Sequence, residues 1–208
     1  MTRRGGSSGR WRQRQNADPY VERADREGWR SRAVFKLEQI QKRERVLRPG
    51  MVCIDLGASP GSWSQYAARL VGPKGRIIAV DLLEMDSLAH VEFLQADFGA
   101  SETVARLRDM LGESSPNLVM SDMAPNISGN RVIDQPRSIA LAEDALLFCD
   151  DVLGPQGDFL VKLFQGEGFD DFVTSVRARF NKVRLIKPKA SRPASREIYL
   201  LARTHRMV

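Results

Sequence analysis

MVCIDLGASPGSWSQ, residues 51–65, is the stretch that decides the fold. A β-type run, Met51 to Asp55, enters a turn with two glycines, and a helical stretch follows from Ser62 to about Leu70. Similar β-type runs recur along the chain as RIIAVD (76–81), VEFLQAD (91–97), NLVMSD (117–122), GDFLVKLF (157–164), KVRLIKP (182–188) and REIYLLA (196–202). Helical stretches at about 102–111, 135–153 and 169–180 separate most of them. Such alternation predicts an α/β fold, a parallel sheet with helices on both faces. Only a loop rich in Lys, Pro, Ser and Arg joins the last two runs, so they are expected to form an antiparallel hairpin at one edge of a seven-stranded, mostly parallel, Rossmann-like sheet. Before the sheet, residues 31–44 read as a helix capped by Ser31, with Ala33, Leu37 and Ile40 in one stripe and Lys36 on its flank.

A chain of 208 residues with 42% hydrophobic content suffices for one well-packed domain and is too short for two full-sized ones. The expected division is a basic, flexible arm over 1–19 and a single domain over 20–208. Cys53 and Cys149 sit in apolar stretches without metal-type spacing and read as reduced, buried thiols. Neither His90 nor His205 has ligand-type neighbours, so neither a metal site nor a histidine-based triad is expected. With no membrane-length apolar run and no signal-peptide core, the expected location is the cytoplasm.

The net charge of +6 is unevenly spread: residues 1–32 carry +5 and residues 181–208 carry +7, leaving −6 between them. Positive charge confined to the two ends fits a polyanion footprint.

Four strand ends carry or closely precede an aspartate: Asp55, Asp81, Asp97 and Asp122. Open α/β sheets bind ligands outside the carboxyl ends of their strands, so these acids are expected to converge on one crevice. The turn from Asp55 to Trp63 lacks the glycine spacing of dinucleotide dehydrogenases, and Pro60 removes an amide that would help cradle a pyrophosphate. A ligand without phosphates fits better. Asp81 stands where an acid accepts from both hydroxyls of a ribose, such as that of S-adenosylmethionine. On that reading Asp97 accepts from the adenine amino group and Asp122 lies near the sulfonium.

Lys162 lies within the apolar run FLVKLF, where an ammonium has to meet carboxylates or lose its proton. Glu197, at the start of the last strand, is a natural partner for Lys162 or Lys36; considered by itself it reads as a solubilising charge on an edge strand.

The segments SRAVFKLEQI, IDLGASPGSWSQ, SDMAPNISG, GDFLVKLFQGEGF and KASRPASREIYL closely resemble the bacterial RlmE/FtsJ/RrmJ family of large-subunit ribosomal RNA uridine 2′-O-methyltransferases, from about Tyr20 to Ala202. The resemblance implies an S-adenosylmethionine-dependent methyltransferase fold. It also implies a catalytic tetrad at Lys36, Asp122, Lys162 and Glu197, and donor contacts at Gly61, Trp63, Asp81, Asp97 and Asp122. The implied target is a uridine ribose of large-subunit ribosomal RNA within the assembled large subunit, and a monomer is expected. Lys162 is the expected proton acceptor if neutral; if charged, it orients the hydroxyl and stabilises the oxyanion, and Asp122 or solvent receives the proton. Lys36, Arg192 and Arg196 are expected to contact RNA. Two other classes are open on the residues alone: a dehydrogenase on the same sheet, disfavoured by the missing glycines, and a noncatalytic RNA-binding assembly factor, disfavoured by the intact tetrad.

Overall fold

A computed structural model describes residues 18–206, so the basic arm expected at 1–19 falls outside the described residues except for Asp18 and Pro19. The elements run α1 (Pro19–Glu27), α2 (Val34–Glu44), β1 (Val52–Leu56), α3 (Ser62–Val71), β2 (Arg76–Asp81), β3 (Val91–Gln95), α4 (Ser101–Leu111), β4 (Leu118–Ser121), α5 (Arg131–Val152), β5 (Asp158–Phe164), α6 (Phe169–Arg179), β6 (Phe180–Ile186) and β7 (Glu197–His205). The strand order is β3-β2-β1-β4-β5-β7-β6. The strands from β3 across to β5 pair in parallel, and β7 runs antiparallel to both β5 and β6. The expected reversed hairpin therefore exists, with β6 outermost and β7 inside the sheet.

Burial follows the sequence pattern. Interior strands β1 and β4 are continuously apolar apart from Asp55 and Ser121, because helices cover both of their faces. The edge strands β3 and β6 alternate or expose most of their residues. One face of the sheet packs with Leu37 and Ile40 of α2 and Trp63 and Ala67 of α3. The opposite face packs with Leu107 of α4, Ala142 and Leu146 of α5, and Phe172 and Val176 of α6.

The helix α1 was not evident from periodicity. Asp18 caps it by accepting from Tyr20 N at 3.1 Å, Pro19 occupies its first turn, and Gly28 ends it at φ 71°. It docks through Tyr20, whose ring lies 5.4 Å from that of Phe35. The helix α2 starts at Val34 rather than Ser31, because Ser31 spends its oxygens on a preceding turn, accepting from Val34 N and Ala33 N. The helix α5 begins at Arg131, ahead of the expected Gln135: Asn130 caps it by accepting from Val132 N, and Pro136 is accommodated inside it.

Candidate active site

Two features of the sheet place the site. Strand ends of β1, β2, β3 and β4 open on one side, and the β5–β7 register sets Lys162 opposite Tyr199 and Phe164 opposite Glu197. Residues directly opposite in an antiparallel pair share a face. Leu160, Tyr199 and Leu201 pack in the same cluster as α2, so Lys162 and Glu197 lie on the α2 side, where Lys36 meets them.

Lys36 Nζ lies 2.9 Å from Glu197 Oε1, and both side chains are nearly buried. Lys162 Nζ lies 3.1 Å from Asp122 Oδ1 and donates to the Asp122 carbonyl oxygen at 2.6 Å. The Tyr199 hydroxyl also donates to Asp122 Oδ1, at 2.7 Å, and the Lys36 ammonium stands 5.7 Å from the centre of the Tyr199 ring. Two lysines, two carboxylates and a phenol thus form one linked cluster. Lys36, on the flank of its helix stripe, is engaged by Glu197, and Glu197 is not an edge-strand charge, since it is buried on an interior strand.

Burial by itself would push the Asp122 carboxyl up. The Lys162 and Lys36 charges, with hydrogen bonds from Tyr199 and Lys162, outweigh it and hold the group below the usual carboxylate range. Tyr199 moves the other way: burial, the neighbouring Asp122 and Glu197 charges and its bond to Asp122 keep the phenol protonated far above its ordinary range. Tyr199 escaped the sequence reading because a tyrosine in an apolar strand looks like core; pairing the hairpin so that it faces Lys162 would have found it.

Beside the cluster a crevice of about 610 Å³ is lined by Gly57, Asp81, Asp97, Asp122 and Met123 among others. That volume lies in the range of small-molecule sites. Gly57, at φ +78°, is needed here: an added Cβ would come 2.7 Å from Met123 Cγ. Asp81 holds the wall by accepting from Ser59 N at 2.9 Å through one oxygen and from Leu83 N at 2.8 Å through the other. Each oxygen keeps a second lone pair, which suits the two hydroxyls of a ribose. Asp97 is exposed and accepts from Gly99 N at 2.9 Å, leaving its other oxygen for an exocyclic amine. The residues present therefore fit a nucleoside.

Asp55 does not join the other three aspartates. It is fully buried beneath the turn, accepts from Ser64 Oγ at 2.6 Å, and burial raises its carboxyl to about 7. Its place in the strand is that of a spacer under the loop rather than a ligand-facing acid. Trp63 is also buried: its Nε1 donates to the Ala33 carbonyl at 2.9 Å and its ring lies 5.7 Å from that of Tyr199. Its indole braces the cluster from behind, and only its backbone amide, in the first turn of α3, is available to a ligand. Gly61, at φ 104°, precedes that turn; an added Cβ would strike Met85 Sδ and Arg30 Nη1. Arg30 fastens the loop from outside, donating to the carbonyls of Pro60, Asp86 and Ser87.

Arg192 and Arg196 lie exposed on the loop between β6 and β7, just before Glu197. Arg192 Nε is 3.9 Å from Asp18 Oδ2, and Arg196 donates to the Gln165 carbonyl. The loop is pinned by Arg32, which donates to the Ala190 carbonyl at 2.6 Å, and by Gln39, which accepts from Ala190 N. Both cysteines are buried and free.

Comparison with known proteins bears on this geometry. Residues 29–205 match the FtsJ-like methyltransferase family. The chain is 52% identical over 200 residues to ribosomal RNA large subunit methyltransferase E of Pseudomonas paraeruginosa and of Pseudomonas aeruginosa, covering 96% of this chain and 97% of each relative. Among solved structures, a Plasmodium falciparum protein described as a ribosomal RNA methyltransferase aligns with a TM-score of 0.77 at 28% identity, over 85% of this chain and 98% of that one. Human methyltransferase-like protein 13, solved with SAH, aligns with a TM-score of 0.54 at 15% identity, over 77% of this chain and 78% of that one, and shares the fold alone. The match covers nearly the whole described domain, and the chain belongs to the FtsJ-like methyltransferase family.

Proposed function

We propose that the protein is an S-adenosylmethionine-dependent methyltransferase that modifies the 2′-hydroxyl of a uridine ribose in large-subunit ribosomal RNA, on the assembled large subunit and in the cytoplasm. The observation that carries this reading is the linked cluster of Lys36–Glu197 and Lys162–Asp122 at the lip of a nucleoside-sized crevice. Similarity to the Pseudomonas enzymes supports the choice of RNA.

S-adenosylmethionine, when bound, would supply a sulfonium methyl for in-line transfer to the ribose 2′-oxygen, the methyl–sulfur bond breaking as the methyl–oxygen bond forms and S-adenosylhomocysteine leaving. Asp81 and Asp97 hold the nucleoside part, the backbone amides of the Gly61–Trp63 turn border it, and Asp122 faces the positive end. A ribose hydroxyl is a weak nucleophile at neutral pH, so its proton has to be taken as the new bond forms. Lys162 is the acceptor in this reading, and Lys36 and Glu197 orient the hydroxyl beside it. A second reading is favoured by the 3.1 Å Lys162–Asp122 pair: an ammonium that stays charged orients the hydroxyl and stabilises the alkoxide, while Asp122 or solvent takes the proton. The exposed Arg192 and Arg196 hold phosphates, while Lys36 meets the RNA at the hydroxyl it orients.

The deciding experiment is transfer of labelled methyl from S-adenosylmethionine to large subunits that lack the modification, with free ribosomal RNA, transfer RNA and the Lys162→Ala variant alongside. Label on a subunit uridine ribose, absent with the variant, supports reaction, substrate and residue together. Label on another RNA alone overturns the target, and no label on any RNA overturns the enzymatic reading.

A further inference from the structure

A second, smaller concavity of about 270 Å³ lies across Pro125 from the crevice, and Pro125 lines both. Its walls come from three separate segments: Ile127 and Arg131 after β4, Phe164 at the end of β5, and Ser195 and Arg196 before β7. Phe164 follows Lys162 by two residues in the strand, so it lies on the same face, and the Lys162 ammonium is 5.9 Å from the centre of its ring. The ring is only partly buried. A partly exposed aromatic face next to a reactive amine, rimmed by two exposed arginines, is the combination that receives an unstacked base and its phosphates.

We propose that this groove receives the target ribonucleotide turned out of its strand, with the base against the Phe164 ring and the flanking phosphates on Arg131 and Arg196. The inference rests on the proposed RNA methylation and adds where the acceptor sits. Three observations select one nucleotide as the occupant. The volume is slightly below the roughly 300 Å³ at which small-molecule pockets begin, which limits it to about one nucleotide. The rim is cationic, and its one acid, Asp134, is engaged by Ser128 N, Ser128 Oγ and Gly129 N. The Lys162–Asp122 pair links the two concavities, since Asp122 lines the crevice and the Lys162 ammonium stands 5.9 Å from the Phe164 ring that lines the groove, which is the juxtaposition of donor and acceptor that methyl transfer needs. Gln135 keeps the walls apart: its amide donates to the carbonyls of both Phe164 and Glu167, tying α5 to the end of β5 at 3.0 Å each.

The test uses the full chain and large subunits lacking the modification. Phe164→Leu is expected to raise KM for subunits roughly five- to hundredfold, the range that loss of one base stack gives, and Arg131→Ala to raise it more at low than at high salt, as loss of a phosphate contact does. S-adenosylmethionine affinity by calorimetry is expected to stay at the wild-type value, and Phe164→Tyr is expected to restore KM. Independently of any variant, subunits carrying 4-thiouridine at the methylated position are expected to photocrosslink to the wild-type protein within residues 125–131, 164 or 194–196. Unchanged KM in both variants, or crosslinks confined to other segments while the wild-type protein methylates the subunits, overturns the groove assignment and leaves the methylation reading standing. Failure of the wild-type protein to methylate any RNA overturns both.

Discussion

Replacing Lys162 by methionine tests the central pair in two ways at once. The change removes the ammonium 3.1 Å from Asp122 Oδ1 and leaves that carboxylate with the Tyr199 hydroxyl and the more distant Lys36 charge. Breaking a buried ion pair typically costs about 3–5 kcal/mol. Here the Asp122 side chain keeps 17% exposure and one strong hydrogen bond, so a loss of about 2 kcal/mol is expected. For a domain of this size that lowers the thermal midpoint at pH 7 by about 4–8 °C. The pH dependence fixes the cause. Because the folded state holds the Asp122 carboxyl below its ordinary value, the associated stabilisation is complete above the ordinary carboxylate range and disappears as pH falls through the folded value. The variant has less of that stabilisation to lose, so its midpoint should approach the wild-type midpoint below about pH 4. Calorimetric scans from pH 3 to 8 measure this. A gap that stays constant with pH would falsify the electrostatic account of the pair. Turnover should fall by about a hundredfold to ten-thousandfold. Lys162→Arg separates the two mechanistic readings: a guanidinium cannot accept the proton, so it should be as inactive as methionine if Lys162 is the acceptor.

Asp81→Ala should weaken S-adenosylmethionine binding in calorimetry, since it removes the wall contacts to Ser59 and Leu83 as well as the ribose acceptor; unchanged affinity would move the nucleoside elsewhere. Arg192→Ala together with Arg196→Ala should reduce the slope of log affinity for RNA against log salt by about one to two, measured by filter binding; an unaltered slope would remove both from the phosphate contacts. Asp55, raised to about 7 in the folded protein, binds its proton more tightly there than in the unfolded chain, so it makes stability decline as pH rises from about 4 to 7. That decline is on the order of 4 kcal/mol. Asp55→Asn should flatten it, and an identical pH profile in the variant would show that the buried carboxyl is ionised after all.

Strands were the most legible part of the chain because interior parallel strands must be apolar on both faces, and β1, β2, β4 and β5 all read as short continuous runs. The clustering of Lys36, Asp122, Lys162 and Glu197 was legible through Lys162, whose charge contradicts its surroundings, and through the family resemblance of the flanking segments. What stayed hidden depends on tertiary pairing. The helix α1 has few apolar positions, and its local signals were confined to its ends: the cap at Asp18, Pro19 in the first turn and the stop at Gly28. The early start of α5 was masked by Pro136, which reads as a helix opening. Asp55 looked equivalent to the other strand-end acids, yet it sits inside its strand under the first turn, where alternation directs it into the protein. Tyr199 and Phe164 gain their roles only from the β5–β7 register.

The placement of β7 between β5 and β6 has a consequence for synthesis. Chain growth delivers β6 before β7, although β7 is the strand that joins β6 to the rest of the sheet. A nascent chain that has exposed β5 but not yet β7 presents a long apolar edge with open backbone groups, the kind of edge that recruits other strands. The same delayed strand brings Glu197 and Tyr199, so the covering of that edge and the completion of the linked Lys36–Glu197 and Lys162–Asp122–Tyr199 cluster are one folding event, and a chain aggregating at β5 is also a chain whose cluster was never assembled.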